Sequence, residues 1–201
     1  MVTGFPKIKA NAKPSPMRYR LAVAFCSLFS LGGGYFAALQ PSGAGWRDPF
    51  SYHPLLMMIG FVGLMGSAAV TKKLGGYTNT KNHGIMSFLG LLCAFGGLYA
   101  IYQNKEKFGK PHLNSGHSVV GLLALTGATS VGLAGAVFLH PDFGSDKQNK
   151  TIRFVHHWTG KITLIAAFFS CMLGLNQLTE NPIILIGFSF PLVALVPLAV
   201  M

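Results

Sequence analysis

Six long apolar stretches follow one another along the chain, separated by short connections in which Gly, Pro and Lys recur. The first runs from Arg20 to Leu39; the others cover Tyr52–Thr71, His83–Tyr102, Gly116–Leu139, Phe154–Leu175 and Pro182–Met201. Each is at or near the roughly 20 residues a helix needs to cross the hydrocarbon of a bilayer. The pattern therefore predicts an all-α integral membrane protein with six transmembrane helices, residues 20–201 forming one domain. Residues 1–19 carry Lys7, Lys9, Lys13 and Arg18 and three prolines without apolar periodicity, and are expected to form a disordered cytosolic arm. The first stretch is longer than the roughly 7–15 apolar residues of a secretory signal, so it is expected to stay as a span. Pro54 suits a first helical turn, where its missing N–H costs nothing. Pro191 and Pro197 should kink the sixth helix, which lipid-embedded helices tolerate.

Composition agrees with this picture. Apolar residues make up 51% of the chain and charged ones only 10%, too few to cover the surface of a soluble domain of this size. The net charge of +11 does not point to nucleic acid, because the basic residues are spread over the arm and the short loops. Their distribution is one-sided. The arm and the loops after the second and fourth stretches hold eleven: Lys7, Lys9, Lys13, Arg18, Arg20, Lys72, Lys73, Lys81, Lys147, Lys150 and Arg153. The other side holds four: Arg47, Lys105, Lys107 and Lys110. Positive charge accumulates inside, so both termini are expected in the cytosol. Cys26, Cys93 and Cys171 fall within apolar stretches and read as small hydrophobes, with no disulfide framework and no CxxCH haem-attachment motif.

Histidine adds the chemistry. The second to fifth stretches each open on one: His53-Pro54, His83-Gly84, His117-Ser118 and His156-His157. The second and fourth helices run the same way, so His53 and His117 share the non-cytosolic end. The third and fifth run oppositely, so His83 and His156 share the cytosolic end. Residues four, seven and eleven later lie on the histidine's own face. They are Ser87, Gly90 and Ala94 after His83; Gly121, Ala124 and Ala128 after His117; and Gly160, Thr163 and Ala167 after His156. After His53 the face is bulkier, with Met57, Gly60 and Leu64. Small residues leave room for a flat group between helices, although they also serve close helix packing. Ionisable groups inside a membrane are rare and functional by default. Two histidines per end without thiolate or carboxylate make a poor zinc site. They match the two axial positions of haem iron, where bis-histidine ligation favours electron transfer. A proton relay through the histidines is the other alternative.

These residues resemble the cytochrome b561 family of transmembrane di-haem electron carriers, chiefly over Tyr52–Leu175. The matching features are His53-Pro54-Leu55, His83-Gly84, His117-Ser118 with Gly121, and His156 with Gly160. The intervals from His83 to His117 and from His117 to His156 match as well. The resemblance implies two haem b groups held by the pairs His53/His117 and His83/His156 in a four-helix core over 52–175. It selects His156 over His157, which is expected to face another helix or the interface. It implies a transmembrane ascorbate-dependent oxidoreductase that passes electrons from cytosolic ascorbate to monodehydroascorbate or a ferric chelate. A di-haem subunit needing a partner reductase is the alternative. Cationic groups should hold the anionic donor, with Lys81 the leading candidate and Lys72, Lys73, Lys150 and Arg153 near it in sequence; Lys161 could snorkel or meet a haem propionate. Lys105, Lys110 and His112 are the candidates on the acceptor side; His140 is given no role. Thr71-Lys72-Lys73-Leu74 stands where the ascorbate-vesicle members carry an Arg-containing segment, which leaves the donor less firmly implied than the haems. The bilayer, a homodimer and an endomembrane or plasma-membrane location complete the expectation.

Overall fold

The computed structural model describes residues 13–200, with side chains through Pro197. The expected positions Lys7 and Lys9 lie outside the described residues. Six helices follow: α1 (Pro16–Ala38), α2 (Tyr52–Lys72), α3 (Tyr77–Lys107), α4 (Gly116–Leu139), α5 (Lys150–Asn176) and α6 (Pro182–Val200). Among the described residues there is no strand, and the first five helices are long and apolar enough to cross a membrane. Outward-facing Leu28, Phe88, Leu123, Ile162, Ile186 and Phe190 are exposed, as lipid-facing residues must be. The chain is an all-α, multi-pass integral membrane protein.

Helix ends differ from the hydrophobic pattern wherever a polar cap extends the helix beyond its apolar part. The first helix starts at Pro16, four residues before the apolar stretch. Ser15 Oγ accepts from Arg18 N at 3.3 Å, and Pro16 occupies the first helical position. Asn149 likewise caps α5, its Oδ1 accepting from Thr151 N at 3.0 Å and Ile152 N at 3.1 Å. That start lies a full turn before the apolar run. Ser115 and Ser118 form a reciprocal capping box on α4. α3 begins at Tyr77, after Gly75 and Gly76 turn the chain at φ +69° and +84°. His83 and His156 therefore sit almost two turns inside their helices, whereas His53 and His117 are second residues. α6 stays helical through Pro191 and Pro197.

The helices pair as antiparallel hairpins, α2 with α3 and α4 with α5, and α1 and α6 cover one flank. A Cβ on Gly60 would lie 2.6 Å from the carbonyl oxygen of Gly90, and one on Gly90 would lie 2.8 Å from that of Gly60. The two backbones thus touch at the α2/α3 crossing. Gly90, expected to open a slot for a flat group, instead makes this contact. On the other hairpin, Gly127 receives Thr163, whose Oγ1 would be 2.6 Å from an added Cβ. Between hairpins a compact waist is formed by Phe61, Ala94, Ala124, Leu125, Ala128 and Ala167. A second cluster joins α1, α2, α5 and α6 through Cys26, Met58, Val62, Phe168, Phe188 and Leu192. Cys26 is buried there, Cys93 and Cys171 are half-buried, and all three are free. Phe29 and Phe188 add a tilted ring contact at 5.6 Å.

The α4–α5 connection folds onto the start of α3. Gly144 N donates to His140 O at 2.9 Å, and His140 stacks on Phe143 with ring centres 3.7 Å apart. Asp142 accepts from the Tyr77 hydroxyl and pairs with Lys81 Nζ at 3.0 Å. Those two partners, Tyr77 first, hold the Asp142 carboxyl below its ordinary range. A carboxylate lowered in the folded state stabilises above its unfolded pKa and loses that effect as pH falls through the lowered value. Asp142→Asn should therefore speed amide exchange in the loop and at Tyr77–Lys81 at neutral pH. In the wild type the same acceleration should appear only on acidification below the usual carboxylate range. At the crossing, Gly60→Leu should destabilise the protein by about 1–3 kcal/mol through overpacking. Gly84→Ala, with nothing within 4 Å of its added methyl, should cost nothing in the same far-UV circular dichroism melts in detergent.

Candidate functional site

Two pairs of histidines face each other across the gap between hairpins, one pair near each end. At the end where α2 and α4 begin, the rings of His53 and His117 have centres 5.8 Å apart and planes at 79°. At the end where α3 and α5 begin, His83 and His156 have centres 6.3 Å apart, again at 79°. The histidines of a pair come from different hairpins. The rings of His53, His83 and His117 are each braced by the other helix of their own hairpin.

The bracing is mostly main-chain. His53 Nδ1 is 3.0 Å from Gly97 O on α3, and His83 Nδ1 is 3.0 Å from Ala68 O on α2. His117 Nδ1 is 2.9 Å from Ser170 O on α5. Carbonyl oxygens only accept, so Nδ1 carries the proton in these three rings and Nε2 keeps a lone pair for a metal. His156 differs: Val131 O on α4 lies beside its Nδ1, which is buried and has no partner in hydrogen-bond geometry. Two glycines make room for rings. A Cβ on Gly174 would be 2.9 Å from His117 Cε1, and one on Gly135 would be 2.8 Å from His156 Cε1.

A metal ion bound between two imidazoles at about 2.0 Å from each nitrogen sets their ring centres about 6 Å apart. Both pairs have that separation and a matching tautomer or an uncommitted Nδ1. Among the described residues no three His, Cys, Asp or Glu side chains converge as a metal site. The donor set thus fits a group that asks the protein for two axial ligands, which haem does.

The expected substrate residues are placed as follows. Lys72 ends α2, donates to Thr80 Oγ1 at 2.6 Å, and lies near Arg153 and the His83/His156 pair. Lys73 lies beside Lys161, and burial first, then that like charge, push its ammonium pKa down. Lys161 reaches over the Trp158 ring at 4.9 Å, and His157 is exposed near Lys161 and Lys73. Lys150 is exposed at the first position of α5. Lys81 is engaged with Asp142, which sequence reasoning passed over along with Tyr77. At the other end Lys105 lies near His53 and His117 and donates to Pro111 O at 2.8 Å. Lys110 sits 5.9 Å from the Phe108 ring, and His112 pairs with Glu106 at 2.8 Å while stacking on Tyr102.

Sequence reading also missed Gly135, Gly174 and Ser170. A signal for the glycines was present, since each follows a histidine of its own helix at the same interval, His117 to Gly135 and His156 to Gly174. That interval is about five helical turns, so each helix carries a histidine at one end and the partner's socket on the same face at the other.

A family model described as eukaryotic cytochrome b561 matches residues 52–181. Transmembrane reductase CYB561D2 of Mus musculus is 29% identical over 137 residues, which cover 64% of this chain and 62% of that protein. Transmembrane ascorbate-dependent reductase CYB561 of Ovis aries is 27% identical over 179 residues, covering 84% and 71%. The first of these relatives is thus matched over less than two thirds of its length. With the family model matched across all four histidine-bearing helices, the chain belongs to the eukaryotic cytochrome b561 family.

Proposed function

We propose that the chain carries electrons across the membrane through two haem b groups. The donor is ascorbate at the cytosolic, α3/α5 end; the acceptor is monodehydroascorbate or a ferric chelate at the other. The observation that carries this reading is the pair of facing imidazole couples, 5.8 Å and 6.3 Å between ring centres, at opposite ends of one four-helix core. Haem, when bound, supplies a one-electron couple whose potential the axial ligands and surroundings tune. His53 with His117 and His83 with His156 would hold the iron, and the main-chain acceptors on Nδ1 of His53, His83 and His117 fix the orientation of those three rings. Two imidazole ligands to each iron would leave it no open position for oxygen, so the group would serve electron transfer. The packed waist of Phe61, Leu125 and the four alanines keeps water out between the ends.

Lys72 lies beside the His83/His156 pair with Arg153 near it, and these two are the groups best placed to attract an anionic donor. Lys81 contributes less than the sequence suggested, because Asp142 already neutralises it. Lys73 and Lys150 belong to the same basic face, and Lys105, Lys110 and His112 to the acceptor side. Both termini lie in the cytosol under this orientation, in an endomembrane or the plasma membrane.

Pyridine-haemochrome titration of the purified protein should count two haems per chain. His83→Ala and His156→Ala should each remove the same one, and His53→Ala and His117→Ala the other; loss of different haems within a pair would refute the pairing. Ascorbate should reduce the wild type, and Lys72→Ala with Arg153→Ala should raise its KM several-fold. Reduction by dithionite but not by ascorbate would favour a subunit that needs a partner reductase.

A further inference from the structure

We infer that Ser170 is a positioning residue for His117 and that its hydroxyl lowers the reduction potential of the α2/α4 site. The inference rests on the reading of His117 as an axial haem ligand.

Ser170 is buried, 6% exposed, on the helix that braces His117. Its carbonyl lies 2.9 Å from His117 Nδ1, and its Oγ lies 3.2 Å from the same nitrogen. The hydroxyl proton has its own acceptor, His117 O at 3.3 Å. The donor count then closes: Ser170 O–H donates to the His117 carbonyl, and the Oγ lone pairs are left for Nδ1–H. Nδ1–H is shared between two oxygens of one residue. The hydroxyl needs room on α4, and Gly121 provides it, since a Cβ there would sit 3.0 Å from Ser170 Oγ. Gly174, one turn further along α5, takes the edge of the ring.

The other three histidines lack this arrangement. His53 and His83 have one carbonyl each, and His156 has no hydrogen-bonded acceptor. An acceptor on Nδ1–H makes the imidazole a stronger donor through Nε2. A stronger axial donor favours the oxidised metal and lowers the potential. The four ligands are therefore graded, with His117 the most strongly supported and His156 the least.

The test is a spectroelectrochemical titration of the haem-loaded wild type, Ser170→Ala, Ser170→Cys and Ser170→Thr, with low-temperature electron paramagnetic resonance of the same samples. Ser170→Ala should keep two haems, move one step to a more positive potential and shift the resonance of that haem only. The step that moves must be the one His117→Ala abolishes. Ser170→Cys, which keeps the shape but accepts poorly, should move it the same way, so the test survives a folding loss in the alanine variant. Ser170→Thr, which keeps the hydroxyl, should retain the wild-type potential. Unmoved steps in both Ser170→Ala and Ser170→Cys, or a threonine variant that behaves like alanine, would overturn the inference while leaving the two-haem reading intact. A wild type without haem, or one that keeps both haems in His117→Ala, would remove that reading and the inference with it.

Discussion

The arrangement depends on one interaction: a histidine near one end of a helix held by the backbone of its antiparallel neighbour. Backbone carbonyls are an economical choice of brace. They are present at every position, they cannot donate, and so they leave the imidazole only one tautomer. Inside a membrane the choice matters more, because an unpartnered ring N–H has no water to turn to. The hairpins α2/α3 and α4/α5 are thus units of chemistry as well as packing. Each delivers two oriented histidines, and the two hairpins together present facing pairs.

Much of this was legible in the sequence. Hydropathy located the six helices, because length and apolar content suffice in a bilayer. Alternating helix direction was enough to predict which histidines share an end. The ends of helices were less legible, since Ser15 and Asn149 carry α1 and α5 past their apolar parts through polar caps. The small residues were misjudged in part. Gly90 read as lining a slot or as serving packing, and the structure commits it to backbone contact with Gly60 between α2 and α3. Periodicity alone places a residue on a face, while its neighbour depends on the rotation of the facing helix. Lys81 shows the same limit for charge. Its position near His83 was readable, but its pairing with Asp142, two helices further along the chain, depends on a loop fold with no periodic signature.

The two ends are unlike in their setting. His53 and His117 lie at second positions, close to the polar boundary. His83 and His156 lie deeper in their helices, with the Tyr77–Lys81–Asp142 contacts and the folded α4–α5 loop above them. Basic groups follow the same division, with Lys72 beside the deeper pair, Arg153 near Lys72, and Lys105 beside the shallower pair. Such differences would suit the proposed passage of electrons from one side of the membrane to the other.

A single interval connects these features. On α3 the bracing Gly97 follows His83, on α5 Ser170 follows His156, and on α4 Val131 follows His117, all by the same step along the chain. At a rise of about 1.5 Å per residue, that step sets the two histidine layers about 21 Å apart along the helices. It also returns the chain to nearly the same face, being close to a whole number of helical turns, about four. α2 breaks the rule, because Ala68 lies one position further from His53 than the shared step would put it. One extra residue in a regular α-helix would swing the acceptor about 100° off the face. α2 is also the helix whose middle, Met58–Met65, is wound with π-type turns, and a π-bulge accommodates one inserted residue. The wide turns in α2 absorb the extra residue and keep the Ala68 carbonyl aimed at His83. They also hold Gly60 at the point where α2 touches α3. This winding lets α2 present both His53 and the carbonyl that braces His83, as α3 and α5 present a histidine and a bracing carbonyl with a step one residue shorter.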